Sequence, residues 1–155
     1  MNTELRGLVV GAEGRYLSDA EMARFREFAI NMTGRIETAR KLQHREPLVV
    51  TEALRLLTER VPDVAKQTGQ LPRARSFLEH TLRYAALAHV RSDPEFFRRA
   101  YAEWSREQLR AALPDATVTA CVECLQRALD EQLDPVDARA VGRFVDVFME
   151  TLRGS

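Results

Sequence analysis

The clearest helix start in the chain is the octapeptide Gly14-Arg15-Tyr16-Leu17-Ser18-Asp19-Ala20-Glu21. Ser18 is followed three residues later by Glu21, a capping box in which each side chain accepts the free backbone N–H of the other residue. Behind it, apolar residues recur at steps of three and four, which predicts one helix from about Ser18 to Gln43. The stripe consists of Met22, Phe25, Phe28, Ala29, Met32, Ile36 and Ala39.

The remainder of the chain repeats this helical pattern. Pro47 is expected to interrupt the first helix, so that a shorter one follows up to Arg60, and the polar, breaker-rich segment 66–72 predicts a loop. Further helices are predicted over 73–91, 94–112, 115–131 and 135–152, the second and fourth of which start with Asp-Pro, an N-cap acid followed by proline. Because no stretch alternates at period two, the predicted class is all-α.

The segment before Ser18 is predicted to be an extension of the main bundle. Residues 4–10 have the pattern of a short amphipathic helix within an N-terminal extension of residues 1–17. An appended helix must bury its apolar residues somewhere, so we expect this extension to form a dimer contact.

Composition excludes several function classes. The chain has 155 residues, 45% hydrophobic and 30% charged, with 23 basic and 23 acidic side chains. This size and balance fit one globular domain spanning residues 1–155. No basic excess favours nucleic acid, and no apolar run approaches the roughly 20 residues that span a bilayer. With neither a signal-peptide pattern nor a disulfide framework, we expect a cytoplasmic protein.

The only two cysteines form the motif Cys121-Val122-Glu123-Cys124. A redox or zinc site of this spacing needs a helix N-terminus or further ligands. Here both cysteines lie within a predicted helix and no histidine is near, so the interpretation as core cysteines is favoured and no metal site is expected. Cys124 lies off the apolar stripe, and we expect it to be partly exposed.

The three histidines, His44, His80 and His89, raise the alternative of a haem site. His80 and His89 are nine residues apart and point in opposite directions on one helix, so they cannot both face one ligand. The helix over 94–112, where a globin would carry its proximal ligand, has no histidine, which makes haem the weakest hypothesis. No catalytic triad, glycine-rich phosphate loop or carboxylate pair is present, so no enzymatic activity is predicted.

Aromatic residues and arginines gather around the predicted third and fourth helices. Phe97 and Tyr101 fit a core stripe, although the same density of rings could wall a flat conjugated ligand. Arg73 and Arg75 follow the loop and could pair with carboxylates of such a ligand, the alternative being that each is a solvated surface side chain. The aromatic residues of the fourth helix are Phe96, Phe97, Tyr101 and Trp104.

Three segments resemble the phycobiliproteins, most closely the allophycocyanin-type chains. They are Gly14–Glu21, Arg35-Ile36-Glu37-Thr38-Ala39 and Glu59-Arg60-Val61-Pro62-Asp63-Val64. In that family an ARYLS run opens the helix after a short N-terminal extension, and an RPDV-like run ends the helix before the chromophore loop. Weaker matches continue at Leu82-Arg83, Pro114 and Phe144. The resemblance implies a globin-like helical bundle whose first helices pack against a partner subunit.

The same comparison shows a departure at the pigment site. The family's CLRDLD segment falls on Ala74-Arg75-Ser76-Phe77-Leu78-Glu79. Ala74 replaces the cysteine that holds the bilin by a thioether, and Phe77 replaces the aspartate that binds the inner pyrrole nitrogens. In this respect the chain is similar to the bilin biosynthesis-associated globins of bacteria, which implies binding of a linear tetrapyrrole without light harvesting.

We therefore expect the chain to bind a bilin, such as biliverdin or a reduced product, in a pocket between the third and fourth helices. Arg73 and Arg75 would pair with the propionates, and Glu79 or His80 would bind pyrrole N–H groups. The residues expected at this site are Arg73, Arg75, Phe77, Glu79, His80, Tyr84 and Trp104. Binding is expected to be non-covalent, or else to use Cys121 or Cys124 as an attachment point outside the family's pattern.

The resemblance also implies partners. Arg83 matches a family arginine that pairs across the subunit interface, so a homodimer is expected, with Glu13 and Tyr16 contributing to the same contact. Bilin-synthesis enzymes are a further expected partner. The alternative is a ligand-free protein whose pocket is filled by side chains such as Phe77 and whose fold serves only dimerisation or docking.

Overall fold

The computed structural model describes residues 2–154, which form α-helices and one π-helical turn. The all-α prediction is confirmed, since this part of the chain contains no strand. None of its helices is both long and apolar enough to span a lipid bilayer. The elements are α1 (Thr3–Gly11), α2 (Asp19–Arg60), α3 (Asp63–Lys66), α4 (Gln70–Arg91), α5 (Pro94–Phe97), a π-helical turn (Arg98–Ala102), α6 (Glu103–Ala112), α7 (Asp115–Gln132) and α8 (Pro135–Arg153).

The predicted capping box starts α2. Ser18 Oγ accepts the backbone N–H of Glu21, and the Glu21 carboxylate accepts the N–H of Ser18 at 2.8 Å. Arg15 donates two hydrogen bonds to the same carboxylate, each at 2.8 Å. These hydrogen bonds lower the pKa of Glu21 to about 2, and the bond from Arg15 has the largest effect.

The prediction that Pro47 interrupts this helix is wrong, because α2 continues without a break for 42 residues. A proline inside a helix removes one backbone hydrogen bond. Pro47 itself is exposed, but Leu42 on one side of it and Val49 and Val50 on the other are buried in the core. Packing of Leu42, Val49 and Val50 in the core offsets the free-energy cost of the lost hydrogen bond, so the two halves of α2 stay on one axis.

The two halves of α2 have different surroundings. Its buried residues within the described chain all lie at or after Leu42, where α2 packs on α4 and α7. Earlier apolar residues remain exposed, among them Ile30 at 68% and Ile36 at 42%. The first half of α2 therefore extends beyond the core and offers an apolar face.

The N-terminal extension is docked onto the bundle at the corner between α4 and α5. The Asn2 side chain donates to the carbonyl oxygens of Arg91 and Ser92 at 2.8 and 2.9 Å and accepts from the N–H of Glu4. Thr3 donates to Asp93 at 3.1 Å. The predicted short helix is confirmed as α1, and its first turn is fixed while Val9 and Val10 stay exposed.

The core lies between α2, α4, α7 and α8. Asp93 and Asp134 cap the helices that they were predicted to start: Asp93 accepts the backbone N–H of Phe96, and Asp134 accepts those of Val136 and Asp137. α4 starts slightly earlier than predicted, directly after Gly69, whose φ of 82° is a left-handed conformation that favours glycine. The largest side chains that are fully buried are Tyr101, Phe97, Phe144, Phe148, Leu57, Leu78, Leu82, Leu125 and Leu129.

Candidate functional site

Ala74 and Phe77, the residues expected at the positions of the family's pigment anchors, are buried in α4. Ala74 is fully buried and Phe77 is 6% exposed. The Phe77 ring packs against Phe148 of α8 with ring centroids 5.4 Å apart. Both of these positions are thus part of the apolar core.

An aromatic cluster lies where α4 meets the helix that follows it, the location expected for the pocket. The rings of Tyr84 and Tyr101 are stacked, with centroids 4.7 Å apart and an angle of 19° between planes. The Tyr101 ring also packs against the rings of Phe148 and Phe97, with centroids 6.0 and 5.5 Å apart. These rings occupy the space between the two helices. We call Phe77, Tyr84, Tyr101 and Phe148 the aromatic cluster.

The buried hydroxyl of Tyr101 joins the π-helical turn to α4. It lies 2.7 Å from Thr81 Oγ1 and 3.3 Å from the carbonyl oxygen of Phe77. Thr81 also donates to the same carbonyl oxygen, at 2.8 Å. Burial raises the pKa of Tyr101 to about 12. Single π-helical turns are frequent at functional sites, and this one carries the ring that closes the expected pocket.

The cluster has one open edge, at Tyr84, which is half-buried. On α4, Arg73, Phe77, His80 and Tyr84 follow one another at steps of four, three and four, so they form one stripe. Arg73 and His80 are exposed on this stripe, and His80 Nδ1 lies 2.6 Å from the carbonyl oxygen of Ser76.

The other predicted site residues are not part of this stripe. Trp104 of α6 is 61% exposed, so it does not belong to the core. Arg75 is exposed and lies 4.0 Å from Glu79, which is also 3.9 Å from Arg83. Glu79 is therefore engaged by two cations on its own helix.

Both cysteines are buried on α7. The expectation that Cys124 is partly exposed is wrong, because its exposed fraction is 5%. Burial raises the pKa of Cys121 to about 12 and also raises that of Cys124. Since the thiolate is the nucleophile, burial and a raised pKa make both thiols poorer nucleophiles than an exposed cysteine.

The residues predicted for a dimer contact are all on the surface. Tyr16 is 98% exposed and Glu13 is exposed, both before α2. Arg83 pairs within its own chain with Glu46 at 2.7 Å. Arg83 and Glu46 line a groove of about 690 Å³ between α2 and α4, whose apolar walls include Ile36 and Leu87.

The sequence did not predict a group of charged residues between α2, α4 and α8. Asp137 is 5% exposed and accepts hydrogen bonds from Thr38 at 2.8 Å and Lys41 at 3.0 Å. Arg35 and Arg143 lie near the buried His89 in the same region. In the sequence, each arginine stands beside an apolar stripe. Ordinary arginines at the edge of a core show the same pattern, so it does not single out this group.

The helical order, the aromatic cluster on α4 and the appended N-terminal helix define a phycobiliprotein-like globin. A family model described as "Phycobilisome protein" matches residues 9–152. The chain therefore belongs to the phycobilisome protein family, which supports bilin binding as its type of function. No curated protein matches the chain significantly.

Proposed function

We propose that the chain binds a linear tetrapyrrole without a covalent bond, at the stripe of α4 that runs from Arg73 to Tyr84. The observation that carries the proposal is the open edge of the aromatic cluster, where Tyr84 is half-buried and stacked on Tyr101. A planar conjugated molecule gains most from such a face.

The charged residues of α4 support a pigment that lies along this stripe. Arg73 and Tyr84 lie on one side of the helix about 16 Å apart along its axis. Arg73 and the neighbouring Arg75 would pair with the two propionates while the conjugated plane lies against Tyr84. His80 lies between them on the same stripe and would bind a pyrrole N–H. The exposed Trp104 would cover the pigment from α6.

Non-covalent attachment is supported by the missing nucleophile. Ala74 stands at the position of the family's cysteine, and the two cysteines of the chain are buried with raised pKa values. Binding rather than catalysis is the corresponding role, and we place it in the cytoplasm beside enzymes that synthesise bilins.

A second candidate is a pigment-free protein that serves dimerisation or docking. The specific observation in its favour is the Tyr84–Tyr101 stack, which fills the space between α4 and the following helix. If this stack does not open, the fold provides only association surfaces.

Co-expression with a haem oxygenase separates the two candidates. We expect a coloured protein whose pigment is released completely by acidic urea, because no thioether holds it. Arg73→Gln should weaken binding of added biliverdin about tenfold through loss of a charge-assisted contact, whereas Arg127→Gln on α7 should leave it unchanged. A colourless protein supports the pigment-free candidate, and a Soret band would indicate haem instead.

We also propose that the chain forms a homodimer through its N-terminal extension and the first half of α2. The support is a set of exposed apolar residues on these segments. Single apolar residues scattered over a surface need no explanation, but a group of them marks an interaction site. They are Val9, Val10, Tyr16, Met22, Ile30 and Ile36. Across this contact Arg83 would meet Glu13 of the second copy.

The dimer proposal is tested with two matched variants. Ile30 and Val136 are both 68% exposed, but only Ile30 lies on the proposed contact. Ile30→Glu, and removal of residues 1–14, should each convert the dimer to a monomer in light scattering, while Val136→Glu should not. A monomeric unmodified chain, or equal behaviour of the two Glu variants, would contradict the proposal.

A further inference from the structure

The two tyrosines of the stack at the edge of the aromatic cluster are held to different extents. Tyr101 is 2% exposed, and its hydroxyl lies 2.7 Å from Thr81 Oγ1 and donates to the carbonyl oxygen of Phe77 at 3.3 Å. Its ring also packs against the rings of Phe97 and Phe148. Tyr101 is therefore fixed both at its hydroxyl and around its ring.

Tyr84 lacks these restraints. It is half-buried, and among the residues that the structure describes no hydrogen bond involves its hydroxyl. Its ring stacks on that of Tyr101, with centroids 4.7 Å apart and planes inclined at 19°. The other three members of the aromatic cluster are buried. Tyr84 is therefore the member of the cluster that is restrained least.

Tyr84 covers the face of Tyr101 that a conjugated ligand needs. Planar conjugated rings stack on an aromatic side chain in the offset, near-parallel geometry that Tyr84 itself adopts. The ligand and Tyr84 therefore compete for the same face. A tetrapyrrole that lies on the α4 stripe reaches the buried cluster only if Tyr84 leaves this face.

The surface of α4 has room for the displaced ring. Side chains on a helix lean towards the residue four positions earlier and have two commonly allowed χ1 rotamers. For Tyr84 that residue is His80, which is exposed. The His80 Nδ1 atom lies 2.6 Å from the carbonyl oxygen of Ser76, one turn earlier still, so the imidazole leans away from Tyr84. Rotation about χ1 thus moves the Tyr84 ring onto an open part of the α4 stripe.

We propose that Tyr84 is the gate of the tetrapyrrole site: its ring turns outward, and a flat end ring of the pigment stacks on Tyr101 in its place. This inference rests on the tetrapyrrole binding proposed above and adds the residue that controls entry. The vacated space has the thickness of one aromatic ring, so it selects a planar conjugated ring over a saturated one. In its outward position Tyr84 still borders the stripe on which the rest of the pigment lies.

Removal of the gate ring should strengthen binding. To enter, the pigment must break the tyrosine stack, and Tyr84→Ala removes that cost. Tyr84→Ala should therefore bind biliverdin about three- to tenfold more tightly than the unmodified chain, as titrations followed by visible absorption will show. Leu133→Ala is the matched control, because Leu133 is also half-buried and packs on the core, and it should leave binding unchanged. Circular dichroism verifies that both variants are folded.

Fluorine NMR shows which ring moves and does not depend on the stability of Tyr84→Ala. The chain has three tyrosines, which 3-fluorotyrosine labels together. The variants Tyr16→Phe, Tyr84→Phe and Tyr101→Phe assign the three signals. With biliverdin bound, the gate predicts large shifts of both the Tyr84 and the Tyr101 signals. If the pigment lies on the outer face of a fixed Tyr84 ring, the Tyr84 signal alone shifts strongly, and the proposal is overturned.

Indole separates a failure of the gate from a failure of the proposed function. It should occupy the space of the missing ring in Tyr84→Ala, as small aromatic molecules fill apolar cavities, and should not bind Tyr84→Phe. If biliverdin binds none of the proteins while indole binds Tyr84→Ala, the tetrapyrrole function fails and the gate over Tyr101 stands for another planar ligand. If biliverdin binds the unmodified chain, and Tyr84→Ala binds it equally or more weakly, the gate is overturned and the proposed function stands. Failure of both ligands to bind folded Tyr84→Ala refutes both.

Discussion

Removal of the Tyr101 hydroxyl tests how the aromatic cluster is held closed. In the folded chain this hydroxyl lies 2.7 Å from Thr81 Oγ1 and donates to the carbonyl oxygen of Phe77 at 3.3 Å. In Tyr101→Phe the Thr81 hydroxyl keeps its own bond to the carbonyl oxygen of Phe77. We therefore expect a loss of about 1 kcal/mol in the free energy of unfolding, the net value of one hydrogen bond.

Urea unfolding followed by circular dichroism measures this loss, and for a chain of this size it corresponds to a decrease in Tm of roughly 2–4 °C. Tyr84→Phe is the matched control, because its ring stays stacked on Tyr101 and none of the hydrogen bonds among the described residues involves its hydroxyl. Its change should stay below about 0.5 kcal/mol. A larger loss in Tyr84→Phe than in Tyr101→Phe would refute the reasoning.

The same variant has a pH signature. Because the pKa of Tyr101 rises from 10.0 to about 12 on folding, the folded chain keeps the proton longer than the unfolded chain. Stability should therefore fall as pH rises from 10 to about 12. Part of that fall should be missing in Tyr101→Phe, which unfolding curves recorded at several pH values will show.

Three further predictions concern other parts of the fold. Asp93→Ala should lower the free energy of unfolding by about 1–2 kcal/mol in urea titrations, because the N-cap of α5 and the contact with Thr3 are lost together; an unchanged midpoint would contradict this. Pro47→Ala should raise Tm, since alanine restores a helical hydrogen bond at an exposed position of α2, and a lower Tm would count against it. Cys121 and Cys124 should react with a thiol reagent only after unfolding, and rapid labelling of the native chain would exclude the burial described.

The local signals in the sequence predicted most of the helices. Ser18 with Glu21, and the Asp-Pro pairs at Asp93 and Asp134, specify helix starts through their own side chains, so neighbours along the chain are sufficient. Pro47 shows where this fails. Its effect depends on packing of α2 against α4 and α7, which no local window contains.

Local sequence signals predicted less of the candidate site. Ala74 and Phe77 lie on α4, within the third predicted helix, but whether rings wall a pocket or fill it depends on which residue of another helix meets them. Tyr101 does so through a π-helical turn that periodicity does not predict. Thr38 and Lys41 of α2 meet the buried Asp137 of α8 only in three dimensions.

Titration of purified protein into biliverdin tests non-covalent tetrapyrrole binding at the α4 stripe. We expect a saturable change in the visible absorption spectrum at one pigment per chain, weakened in Arg73→Gln and in Trp104→Leu. A biliverdin spectrum that stays the same at every protein concentration would contradict it.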